Sequence, residues 1–120
     1  MTQTRYESLG ALAERAIKAP KWEWLLGMRA ILRADGYALR LSFPADIPWI
    51  AEHSAVPDFM DGATIGSVAM LVRRVRLDGF LSARPYPSGG WEIYGKHGPV
   101  PVPTHADTEI GAWINLLEAS

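Results

Sequence analysis

The segment MRAILRADGYALRLSF, residues 28–43, constrains the fold more than any other part of the chain. Its Asp35-Gly36 pair is typical of a two-residue type I′ hairpin turn, which requires positive φ at both positions. A hairpin closed there places apolar pairs on one face: Ala34 with Tyr37, Leu32 with Leu39, Ala30 with Leu41, and Met28 with Phe43. The other face would carry Arg29, Ile31, Arg33, Arg40 and Ser42. We therefore predict a half-buried antiparallel hairpin in this register.

A second hairpin is predicted in FLSARPYPSGGWEIYGK, because residues 87–90 are rich in turn-forming residues. A four-residue loop would pair Tyr86 with Trp91 and Arg84 with Ile93. The proline-rich residues 97–103 can only form an edge strand or a strap that covers the sheet.

Helices are predicted on either side of these hairpins. Apolar residues recur at helical spacing over residues 5–18, from Tyr6 to Ile17. A second helix starts near Asp61 as N-cap, and a third follows a capping box of Thr104 and Asp107. Residues 44–61 are predicted as an ordered loop, with one helical turn at about residues 48–53.

These elements predict one α+β domain over residues 1–120. The expected order is α-β-β-α-β-β-α, and the two hairpins are expected to join into one four-stranded antiparallel sheet covered by the helices.

Composition excludes several classes of function. Twelve basic and thirteen acidic residues give a net charge of −1, which argues against a partner such as bulk nucleic acid. The absence of cysteine excludes disulfides and thiolate chemistry. The N-terminal residues do not match a signal peptide, and no apolar run is long enough to span a membrane. We expect a soluble protein in the cytoplasm of a host cell, with no membrane partner.

No reaction signature accompanies the fold prediction. The three histidines, at 53, 97 and 105, lack the spacing of metal ligands. The serines lie outside any nucleophile motif, and phosphate-binding glycine loops are missing. We predict no catalytic residues, no metal and no cofactor, so an enzyme would need a site without a recognisable pattern.

The aromatic residues suggest a binding surface. Five tryptophans in 120 residues is a high count, and Trp and Arg often dominate binding energy at protein interfaces. The candidate binding residues are Trp22, Trp24, Arg29, Arg33, Arg40 and Trp91. The alternative is that the tryptophans close the ends of the sheet over the core. If the arginine face is not the site, the acidic and aromatic loop around Trp49, Glu52 and Asp58 is the next candidate.

Four segments resemble a group of small phage and prophage proteins of unknown function. The segments are WEWLLGMRAI, PDFMDGATIGSVAMLVRRV, GGWEIYG and TEIGAWINLLEA. The matching residues are Trp24, Met28, Asp61, Ala63, Thr64, Gly66, Gly89, Gly90 and Trp91. The resemblance implies an accessory gene of a phage or prophage, without a mechanism.

We therefore predict a non-enzymatic accessory protein that binds a host or phage protein, with inhibition of a host defence system as one concrete role. The alternative is a small-ligand or nucleotide-binding protein with a pocket between the sheet and residues 44–61. A third interpretation is an enzyme, and a homodimer is compatible with all three.

Overall fold

The computed structural model describes residues 7–120, which form four helices and two separate three-stranded antiparallel sheets. The helices are α1 (Leu9–Lys18), α2 (Asp46–Glu52), α3 (Gly62–Val75) and α4 (Glu109–Glu118). The strands are β1 (Arg29–Leu32), β2 (Ala38–Arg40), β3 (Ala55–Pro57), β4 (Ser82–Pro85), β5 (Trp91–Gly95) and β6 (Gly98–Pro99). The fold is α+β.

The predicted single four-stranded sheet and its element order are wrong. The first sheet has the order β2-β1-β3, and the second has the order β4-β5-β6. Residues 44–61, predicted as a loop, contain both α2 and β3. Strand β3 pairs with the second edge of β1, with Val56 opposite Ile31, so this edge cannot accept the other hairpin.

The first hairpin forms, but two residues out of the predicted register. Ala30 lies opposite Leu39, and residues 33–36 form a four-residue loop closed by the Leu32 N–H on the Tyr37 carbonyl at 2.8 Å. Gly36 has a φ of +73°, whereas Asp35 keeps a negative φ, so the turn is not type I′. The Asp35 carboxylate accepts the Tyr37 N–H at 3.0 Å, which stabilises this longer loop.

A shift of two residues keeps every side chain on its predicted face, because the side-chain period of a strand is two. Met28, Ala30 and Leu41 are accordingly buried, whereas Leu32 and Leu39 are half-buried. The predicted core face of this hairpin is therefore only partly confirmed, because Tyr37 and Phe43, which were expected on it, are 61% and 69% exposed.

The second hairpin is one residue out of register. Ala83 lies opposite Ile93, where the prediction had Arg84. A one-residue shift exchanges the two faces, and this one puts an apolar side chain instead of an arginine opposite fully buried Ile93. Positive φ at Gly89 and Gly90 allows the three-residue loop. Strand β6 forms the far edge beside β5, as predicted for the proline-rich segment.

Helix α4 lies at the centre of the packing. It contacts α1, α3, β4 and β5, and it is buried on most of its circumference, including Trp113. Its N-cap is Thr108, whose hydroxyl accepts the Gly111 N–H at 3.1 Å. The predicted capping box is wrong, because the buried Thr104 hydroxyl instead accepts the N–H of Ile93 at 2.9 Å.

The N-termini of the other helices agree more closely with those predicted from the sequence. Asp61 caps α3, as predicted. Ser8 caps α1, whose predicted start at residues 5 and 6 lies outside the described residues. The helical turn expected near residues 48–53 is part of α2, where the Asp46 carboxylate accepts the N–H groups of Ser42 and Phe43, each at 2.9 Å.

Candidate functional site

The three arginines of the predicted surface are held in ion pairs. Arg33 pairs with Glu14 of α1 at 2.8 Å. Arg29 and Arg40 lie directly opposite each other on β1 and β2, an arrangement that is destabilising for like charges. Two carboxylates from the segment before α3 offset this repulsion.

Arg29 pairs with Asp58 at 3.3 Å, and Arg40 donates to both oxygens of Asp61 at 2.7 and 2.9 Å. The bonds from Arg40, together with those from the hydroxyl and N–H of Thr64, hold the pKa of Asp61 well below its usual range. The acidic segment 44–61 therefore supplies the counterions for the arginines of the first sheet.

The three candidate tryptophans are half-buried against the core. Trp22 and Trp24 contact each other edge to face, with ring centroids 5.4 Å apart. Trp91 belongs to the other sheet, where its backbone N–H donates to the Ala106 carbonyl at 2.7 Å. This packing is what the alternative interpretation of the tryptophans requires. Binding by the six candidate residues stays a prediction.

An open groove lies between β2 and α2, and we call it the aromatic groove. It is lined by Tyr37, Leu39, Ala45, Asp46 and Trp49, and its volume is about 470 Å³. Tyr37 is 61% exposed and Trp49 is 41% exposed. The groove thus presents two large aromatic side chains to solvent.

The Trp49 side chain is held in place by the residue one turn later, His53, at the C-cap of α2. Its ring stacks on the His53 ring with centroids 4.0 Å apart, and His53 Nδ1 lies 2.6 Å from the Trp49 carbonyl oxygen. A ring fixed in this way loses little conformational entropy when a partner covers it.

Sequence reasoning identified only part of this groove. Trp49 was the second-choice candidate, and a pocket was expected between the sheet and residues 44–61. Tyr37 and Leu39 were assigned to the buried face of the hairpin. In both registers Tyr37 forms the last pair before the loop, and the structure leaves its side chain 61% exposed.

A second, polar cavity of about 170 Å³ lies between α1 and the start of α4. Arg15 contacts Glu7 and Glu118 and donates to Asn115 at 2.6 Å. The Asn115 amide in turn donates to the carbonyls of residues 104 and 105, at 3.1 and 3.2 Å. These contacts join α1, α4 and the chain before α4, so the polar groups have a structural role.

Residues 7–120 contain neither a cluster of metal ligands nor a helix that could span a membrane. Within that range, no three His, Asp or Glu side chains lie close enough together to hold a metal ion. The helices described there are all too short or too polar to cross a bilayer.

No protein-family profile, curated protein or solved structure matches this chain. The resemblance to phage and prophage proteins stays a prediction.

Proposed function

We propose that this protein acts by binding another protein through the aromatic groove. The observation that carries the proposal is the pair of exposed aromatic side chains that line one groove, Tyr37 directly before β2 and Trp49 on α2. Exposed clusters of large apolar side chains mark interaction sites, and Trp and Tyr are enriched among the residues that dominate binding energy.

The shape of the groove favours a protein over a small ligand. Small-molecule sites enclose most of the ligand and present several convergent polar groups. The aromatic groove is open, and its one charged lining residue is Asp46. One oxygen of that carboxylate already accepts two backbone N–H groups.

The proposed setting is the one that the resemblance implies. As an accessory protein of a phage or prophage, this chain would act without catalysis by occupying a host or phage protein. Inhibition of a host defence system is one outcome of such binding.

Affinity capture from a bacterial lysate, with quantitative mass spectrometry, tests the proposal. We expect the parent protein to enrich a partner that the Trp49→Ala and Tyr37→Ala variants capture at least tenfold less. Loss of an aromatic hot spot costs about 2 kcal/mol or more, which is roughly thirtyfold in affinity.

Phe80→Ala is the matched control, because Phe80 is 67% exposed but lies outside the groove. It should capture the partner as well as the parent does.

Arg33→Ala tests the arginine face. The Arg33 side chain is exposed, and so is its ion pair with Glu14, so the substitution should leave the fold intact. Equal capture by the parent and both groove variants would contradict the proposal, and loss of capture in Arg33→Ala alone would assign binding to the arginine face. All variants are first shown to melt like the parent.

A further inference from the structure

We infer that the partner presents a proline-rich segment, which lies in the aromatic groove as a polyproline II helix and carries a basic side chain toward Asp46. This inference rests on the proposed function and names the chemistry of the partner. It follows from the two aromatic rings, from the hydrogen-bond donors that they leave free, and from the charge of the groove.

The two aromatic rings of the groove provide surface for proline rings. Trp49 stacks on His53 with the ring planes 22° apart, so one face of the indole is covered, and Trp49 still keeps 41% of its surface exposed. Tyr37 is 61% exposed. Grooves lined by aromatic rings are a recurring site for proline-rich segments, whose polyproline II conformation is already formed before binding and loses little entropy there.

The hydrogen-bonding groups of the groove complement those of such a segment. Within residues 7–120, the hydrogen bonds of Tyr37 and Trp49 are made by their backbone atoms, so the Tyr37 hydroxyl and the Trp49 indole N–H have no protein partner there. A polyproline II helix has no internal hydrogen bonds, so its carbonyl groups are free to accept. Proline also brings no N–H that would need an acceptor in the groove.

Asp46 adds a negative charge beside the two rings. One of its oxygens accepts the N–H groups of Ser42 and Phe43, and within residues 7–120 no basic side chain forms an ion pair with it. A polyproline II helix has three residues per turn, so side chains three residues apart lie in one row. Proline and lysine at that spacing would face the groove together, and the lysine would complement the charge of Asp46.

The test uses fluorescence anisotropy at low salt with a labelled nine-residue peptide that has lysine at its seventh position and proline elsewhere. Two matched peptides accompany it. One has glutamate in place of lysine, and the other has alternating valine and threonine in place of proline, which favours an extended strand. We expect the parent protein to bind the proline–lysine peptide and to bind each matched peptide at least tenfold more weakly.

The protein variants examine the ring and the charge separately. Trp49→Ala should weaken binding of the proline–lysine peptide at least tenfold. Asp46→Asn keeps an oxygen for the two N–H groups but removes the charge, so it should lower the preference for lysine over glutamate at least threefold. Glu109→Gln removes the same charge from α4, outside the groove, and should leave this preference unchanged. Thermal melts establish that each variant folds.

The outcomes separate the chemistry of the partner from the proposed function. Absence of binding of the proline–lysine peptide up to about 1 mM, or equal binding of the valine–threonine peptide, overturns the inference even if Trp49→Ala loses its partner from the lysate. If the peptide binds as expected but lysate capture does not depend on Trp49, the groove prefers proline and the proposed function fails.

A second copy of the chain is the competing occupant of the groove. Lys96, Pro99, Pro101 and Pro103 are all exposed, so residues 96–103 offer similar chemistry. Sedimentation of the parent and of Trp49→Ala distinguishes the two occupants. We expect both to be monomeric. Self-association of the parent that is lost in Trp49→Ala would place residues 96–103 of a second copy in the groove and overturn the partner segment.

Discussion

At the start of α3, the carboxylate of Asp61 accepts hydrogen bonds from two directions. The N–H of Thr64 caps the helix at 3.0 Å, and the guanidinium of Arg40 binds both oxygens. The single side chain therefore stabilises the helix terminus and also neutralises one of the two opposed arginines of the first sheet.

Two variants of Asp61 separate these roles. Asp61→Ala removes the cap and the charge, and should lower the free energy of unfolding by about 1 kcal/mol or more. Asp61→Asn keeps a good capping side chain. Its loss of stability at neutral pH should therefore be smaller than that of Asp61→Ala, and it should come from the lost ion pair with Arg40. Urea denaturation of both variants measures these differences.

The pH dependence follows from the lowered pKa of Asp61 in the folded state. Its charged form stabilises the fold above the ordinary carboxyl pKa of about 3.9, and this stabilisation is lost as the pH falls toward the lowered value. The stability gap between the parent and Asp61→Asn should therefore narrow on acidification below about pH 4. A gap of constant size between pH 7 and pH 3 would contradict this role.

At the scale of the elements, the position of a residue along β2 and its extension decides how deeply its apolar side chain is buried. Leu39 and Leu41 lie on the same face of β2 and its extension. Leu41 is 1% exposed, however, while Leu39 is half-buried beside the aromatic groove. The two leucines should therefore differ in their contribution to stability, although their sequence pattern is the same.

We expect Leu41→Ala to cost about 2–5 kcal/mol, because it opens a cavity in the core. Leu39→Ala should cost only about 1 kcal/mol, since part of its side chain is already in contact with water. Chemical denaturation of the two variants, with the parent in parallel, checks the order. Equal losses would contradict the half-buried position of Leu39.

At the scale of the whole molecule, Arg15 and Asn115 hold α1, α4 and the chain before α4 together. Asn115 on α4 makes hydrogen bonds to two other segments: it accepts from Arg15 on α1 and donates to the carbonyls of residues 104 and 105. Glu118 contacts the same arginine from a more exposed position, with 38% of its side chain accessible. Its ion pair should be screened by solvent.

Asn115→Ala should therefore destabilise the protein by about 1–3 kcal/mol. Glu118→Ala should cost less than about 1 kcal/mol, and less still at high salt. Thermal melts of both variants at low and high salt make the comparison. If Glu118→Ala proves the more damaging change, the charge rather than the amide network joins these segments.

The helices and turns were largely determined by local sequence. The apolar stripes of α3 and α4, the Asp61 cap and the position of both turns follow from helical periodicity and from residues such as Gly36 that permit unusual backbone angles. The faces of the first hairpin also follow, because alternation is a local property.

The tertiary structure decided register, strand partners and the groove. A two-residue shift leaves alternation unchanged, so the pattern of the first hairpin could not distinguish the two registers. The choice of β3 as the partner of β1 depends on competition between segments distant in the chain. Tyr37 and Trp49 line one groove only because α2 lies beside β2, and this arrangement cannot be predicted from the local sequence pattern.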